Sequence, residues 1–106
     1  MGNCLSIDLS LRTTACVLVD VDNYSLKDML WVTSDSKTIH NEQLVEYNTQ
    51  RILDFAFKYE KDIDYIVIEG LSFNSLSSDK DLIAGNFWHL RVELYQLGMG
   101  ILVLFQ

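Results

Sequence analysis

Apolar residues in this chain fall into short blocks separated by polar turns, and the spacing inside the blocks changes along its length. Leu5 to Ile7 and Ala15 to Val19 are apolar, β-branched runs on either side of Ser10-Leu11-Arg12-Thr13, which predicts two strands joined by a short connection. Asp20-Val21-Asp22-Asn23-Tyr24-Ser25 is rich in turn formers, and Met29-Leu30-Trp31-Val32-Thr33 predicts a third strand of the same meander. Beyond the polar residues 34–37 the period changes. From Asn41 or Glu42 onward, Leu44, Ile52, Phe55 and Tyr59 fall near one helical face, with Asn48 as a polar gap in the stripe. Ile63 to Ile68 is then a nearly continuous apolar run of strand length, the pattern of a strand buried on both faces. It stops at Glu69-Gly70, and a Ser-rich loop follows. Ser78 with Asp81 predicts a capped helix start, after which Ile83, Phe87, Leu90, Leu94 and Leu97 keep helical spacing. Trp88, Val92 and Tyr95 widen the apolar surface of that helix to a second face. Gly98 suits the position just past its end, and Ile101 to Phe105 predicts a last strand.

The order three strands, helix, strand, helix, strand predicts an α/β fold. Its core is a mixed five-stranded sheet, antiparallel in its first three strands and then built from βαβ-like units, with helices on its faces. Residues 1–106 are expected to form a single domain, and no repeat or low-complexity tract divides them.

Two carboxylates sit awkwardly in this pattern. Asp8 lies within the first apolar run and Glu69 directly ends the fourth, where an ionised group loses hydration unless it is paired or binds a metal. Ligands of open α/β sheets gather at strand carboxyl ends, so Asp8 and Glu69 would meet there if the first and fourth strands are neighbours. Carboxylates brought together from distant positions suit a divalent cation such as Mg²⁺, which prefers hard oxygen ligands. Each residue also has a plainer reading. Asp8 could cap the Ser10 to Thr14 turn, Glu69 could hydrogen-bond the following loop, and Arg12 could be a solvated turn residue. His40 and His89 lack metal-type spacing to other ligands and read as structural.

Charge and composition narrow the partners. With 15 acidic and 8 basic residues, the net charge of −7 argues against a broad electropositive face for phosphate binding, although a cation site itself needs local carboxylates. Hydrophobic content of 49% excludes a disordered chain. No apolar run is long enough to cross a bilayer, and the N-terminus lacks the features of a signal peptide, so no membrane partner and a cytoplasmic location are expected. Cys4 and Cys16 lie in the first two apolar runs without CxxC spacing and read as small buried hydrophobes.

Leu5-Ser6-Ile7-Asp8-Leu9-Ser10-Leu11-Arg12-Thr13-Thr14 resembles the opening strand and turn of RuvC-type Holliday junction resolvases. Asp64-Tyr65-Ile66-Val67-Ile68-Glu69, with Phe73 shortly after, resembles the second signature of that family. The resemblance implies a ribonuclease H-like fold and a homodimer that cuts four-way DNA junctions with Mg²⁺ or Mn²⁺. It implies that Asp8 and Glu69 are catalytic metal ligands, that Arg12 and Phe73 touch DNA, and that the helix from Leu82 to Leu97 carries the dimer contacts. The family also uses acidic residues on a helix downstream of the fifth strand. The chain stops at Gln106, so the domain is expected to be truncated there, with an incomplete set of ligands.

Two other readings stand beside the nuclease. One is a catalytically inert module of the same fold that binds branched DNA or a protein partner. The other is a fragment of an actin-like or sugar-kinase-type nucleotide-binding domain, whose opening strand and turn also place an aspartate before Ser/Thr-rich phosphate contacts.

Overall fold

The apolar runs at the N-terminus pair as a meander. In the structure, a computed structural model that describes residues 2–33, 40–69, 80–98 and 101–104, β1 (Asn3–Asp8) pairs antiparallel with β2 (Thr13–Asp20). The latter pairs antiparallel with β3 (Ser25–Thr33), with a bulge between Leu18 and Val19. The turn from β2 to β3 is organised by Asp20, whose carboxylate accepts the backbone N–H groups of Asp22 and Asn23 at 2.9 and 3.2 Å. This is the side-chain-to-backbone bonding that makes aspartate a turn former.

The helical stripe forms α1 (Asn41–Lys58), entered through His40, whose backbone N–H donates to Gln43 Oε1 at 3.3 Å. The chain returns as β4 (Tyr65–Glu69), continues in α2 (Lys80–Gln96) and ends in β5 (Ile101–Leu104). Just past α2, Gly98 takes the left-handed conformation with φ of 78°, as expected of a glycine that closes a helix. The predicted cap Ser78 lies outside the described residues.

The strands align in the order β3-β2-β1-β4-β5. Pairing of β1 with β4 is parallel, Cys4 to Ile7 lying beside Tyr65 to Ile68, and β5 runs parallel along the outer edge of β4. The result is an α/β domain with a mixed sheet and two helices.

One expectation needs correction. The sequence suggests helices on both faces of the sheet and a β4 buried on both sides, yet α1 and α2 share one face. The strand order supplies the reason. The crossovers from β3 to β4 and from β4 to β5 advance in the same direction across the sheet, and two right-handed crossovers advancing the same way lie on the same side. A single core results, in which Leu5, Ile7, Cys16, Leu18, Ile66 and Ile68 meet Ile52 and Ala56 of α1 and Phe87, Leu90 and Leu94 of α2. Alternation then turns Ser6, Asp8, Tyr65, Val67 and Glu69 to the opposite face, where they are half-buried or exposed. No element among the described residues covers that face, and Trp31 on β3 is 57% exposed there.

At the far end of α1, Tyr59 donates its hydroxyl to Asp28 of β3 and Lys58 lies 3.4 Å from the same carboxylate. The Tyr59 hydroxyl is the main cause that holds the Asp28 carboxyl below its ordinary range.

Two outcomes follow from this packing. Leu90→Ala removes a fully buried side chain between helix and sheet and is expected to cost about 2–5 kcal/mol in urea unfolding. Burial pushes the Cys16 thiol up to about 12, so at pH 8 a thiol reagent should modify Cys4 first and reach Cys16 only after unfolding, as mass spectrometry would read directly.

Candidate active site

Asp8 and Glu69 occupy adjacent strand ends. The parallel register runs to Ile7 beside Ile68, so the next residue on each strand is one of the two carboxylates, and neighbouring strands lie only about 4.8 Å apart. Both residues belong to the face opposite the helices, Asp8 exposed and Glu69 half-buried. From β1 the chain leaves toward β2 on one side, and from β4 it leaves toward β5 on the other. Connections departing in opposite directions open a crevice at the carboxyl ends of β1 and β4, the usual place for a ligand in an open α/β sheet.

The turn that follows Asp8 is fastened from beneath. Thr14, wholly buried on the helix side of β2, donates its hydroxyl to the Ser10 carbonyl at 2.7 Å and accepts the Ser10 backbone N–H at 3.0 Å. Leu11 tucks its side chain into the interior, and Asn48 of α1 donates from Nδ2 to the Leu11 carbonyl at 3.0 Å. Arg12 comes next and is exposed at the tip. The turn is thus closed by Thr14, and among the described residues no hydrogen bond or ion pair engages the Asp8 carboxylate in the capping role it could have filled.

Phe73 lies outside the described residues. Asp81 stands in the first turn of α2, where a carboxylate complements the helix dipole. His89 Nε2 lies 3.2 Å from Glu46 Oε2, a contact between α1 and α2 that fits the structural role expected of it. Trp88, Val92 and Tyr95 form an exposed stripe on α2, Tyr95 being 74% exposed, and the Arg91 guanidinium lies 4.4 Å from the Trp88 ring centre.

The donor set suits a hard cation in part. Among the described residues no cluster of three or more His, Cys, Asp or Glu side chains could hold a metal ion, so the strand ends offer two carboxylates. Mg²⁺ is commonly held by one or two carboxylates together with water and substrate phosphates, which two such ligands on an open face can accommodate.

No protein-family model matches the sequence, and no curated protein matches it either. The comparison of folds decides more. Thermus thermophilus RuvC in complex with a Holliday junction substrate superposes with a TM-score of 0.82 at 11% identity, over 99% of this chain and 65% of that one. This chain has a RuvC-like fold. A second Thermus thermophilus RuvC structure agrees, with a TM-score of 0.79 at 12% identity over 97% of this chain and 63% of that one. The RuvC-like chain therefore spans just under two thirds of the length of these structures. The Aquifex aeolicus Ppx/GppA phosphatase, at 10% identity, matches less well, with a TM-score of 0.61 over 99% of this chain and 36% of that one.

Sequence reasoning missed Thr14 and Asn48 as parts of the framework under the turn. For Asn48 a signal was present, because it stands in the same helical row as Leu44 and Ile52, where a polar residue needs a buried partner. Thr14→Val removes both bonds to Ser10 and is expected to cost about 1–3 kcal/mol in urea unfolding.

Proposed function

We propose that this protein is a metal-dependent endonuclease of the junction-resolving type, acting on four-way DNA junctions by phosphodiester hydrolysis. The observation that carries the reading is the parallel β1–β4 pairing, which brings the ends of both sequence signatures together on the open face of a RuvC-like sheet. Asp8 and Glu69 would hold Mg²⁺ or Mn²⁺, and Arg12, exposed on the adjoining turn, would contact a backbone phosphate. A cation held there supplies charge stabilisation for the displaced oxygen of the scissile phosphodiester. It also offsets local negative charge in a chain whose net charge of −7 otherwise repels DNA. Phe73 belongs to the same reading as a base-contacting residue near the junction. Cytoplasmic action on DNA goes with it, and no helix among the described residues is long and apolar enough to cross a membrane.

A homodimer completes the proposal. The stripe Trp88, Val92 and Tyr95 joins aromatic and aliphatic surface with the neighbouring Arg91, the composition of an interface centre. Two copies packed through α2 would present two sites to a two-fold symmetric junction. A nucleotide-binding domain has the weaker fold support, at a TM-score of 0.61 for the phosphatase against 0.82 for RuvC.

Cleavage of a synthetic four-way junction with Mg²⁺ or Mn²⁺ tests the reading. Asp8→Asn and Glu69→Gln are each expected to lower the rate by about 100-fold or more, since even residues that only support a metal ligand cost 10–100-fold when changed. Undiminished cutting by folded variants would remove both residues from the chemistry. Equal affinity for a junction and a linear duplex of the same length would remove the junction as the substrate.

A further inference from the structure

The two carboxylates are not held alike. Glu69 belongs to a strand with a parallel neighbour on each side, where its own position pairs with Leu104 of β5. Asp8 pairs with Ala15 of β2 at the point where β1 leaves the sheet for the turn. Its placement therefore depends on how the next residues are fastened. Thr14 closes the turn within the hairpin, but it belongs to the same hairpin and cannot anchor it to anything else. One tie from the turn to α1 is polar, buried and long in sequence: Asn48 is 1% exposed and reaches the Leu11 carbonyl across 37 positions.

We propose that Asn48 is a positioning residue, which holds the Asp8 end of the cation site in place by clamping the following turn to α1. The inference rests on the reading of Asp8 and Glu69 as cation ligands. A buried amide on an otherwise apolar stripe loses solvation on folding, and an apolar residue there would continue the stripe of Leu44 and Ile52 at lower cost. The neighbouring residue offers an internal comparison. Thr49 is equally buried on the same helix, yet its hydroxyl has no hydrogen-bond partner among the described residues. Of these two adjacent buried polar side chains, Asn48 bonds to the turn and Thr49 does not. Through Leu11 the clamp acts one residue before Arg12 and three after Asp8, so it governs the geometry of both without touching either functional group.

The test is Mn²⁺ titration of the 106-residue chain, followed by paramagnetic broadening of the Asp8 and Glu69 amide signals in NMR. It reads cation binding without requiring cleavage. In the unsubstituted chain both signals should broaden selectively. Asn48→Leu, which keeps the branched shape but removes the donor, is expected to need about tenfold more Mn²⁺ for the same broadening, the lower end of the range for residues that support metal ligands. Thr49→Val should titrate like the unsubstituted chain. Asn48→Ser, too short to reach the Leu11 carbonyl, should repeat the loss and serves if the leucine variant does not fold. A folded Asn48 variant that binds Mn²⁺ as tightly as the unsubstituted chain would overturn the positioning role and leave the cation site standing. Absence of selective broadening in the unsubstituted chain would instead overturn the cation site itself, and the clamp's role with it.

Discussion

Parallel pairing of β1 with β4 is the contact on which the rest of the molecule depends. Four successive residue pairs, from Cys4 beside Tyr65 to Ile7 beside Ile68, join segments about 60 positions apart. No local preference could bring these segments together, because closing so long a loop costs entropy that only buried surface repays. The repayment is visible in the alternation: Leu5, Ile7, Ile66 and Ile68 all turn to the helices and are almost wholly buried. A slip of one residue in either strand would send that strand's apolar pair to the open face. The same register therefore secures the core and aligns Asp8 with Glu69.

The one-sided arrangement of the helices has consequences for chemistry. With α1 and α2 both on the core face, the carboxylates lie on a face that no helix among the described residues covers. The same sheet leaves large apolar side chains exposed, including Leu26, Met29, Trp31 and Tyr65.

Buried polar groups serve a different purpose from the carboxylates. Thr14 and Asn48 sit under the turn after Asp8, on the helix side of the sheet, while the acids sit on the other. Hydrophobic contact is non-directional and could not select one conformation for a short turn. Hydrogen bonds from fixed, buried donors can, and they relate the turn to the helix that packs below it. At this end of the molecule the core specifies geometry as well as supplying stability.

Much of this was legible in the residues alone. The three early strands, the two helices, the closing role of Gly98 and the suspicion attached to Asp8 and Glu69 all follow from local rules, since period, turn chemistry and the cost of an isolated charge operate within a few residues. The two short signatures also pointed to the fold that structural comparison bears out. Other features were beyond local reasoning. Which strands are neighbours, and so whether the two acids meet at all, depends on pairing between distant segments. The shared face of the helices depends on the direction in which both crossovers advance, which strand order alone decides. In the sequence Asn48 is a gap in a stripe, because its partner, the Leu11 carbonyl, is a backbone atom far away in sequence and has no signature of its own. Sequence by itself determined the elements and the candidate chemistry, through short-range propensity and charge. Tertiary structure decided which residues share a site, because only the closing of long loops brings those residues together.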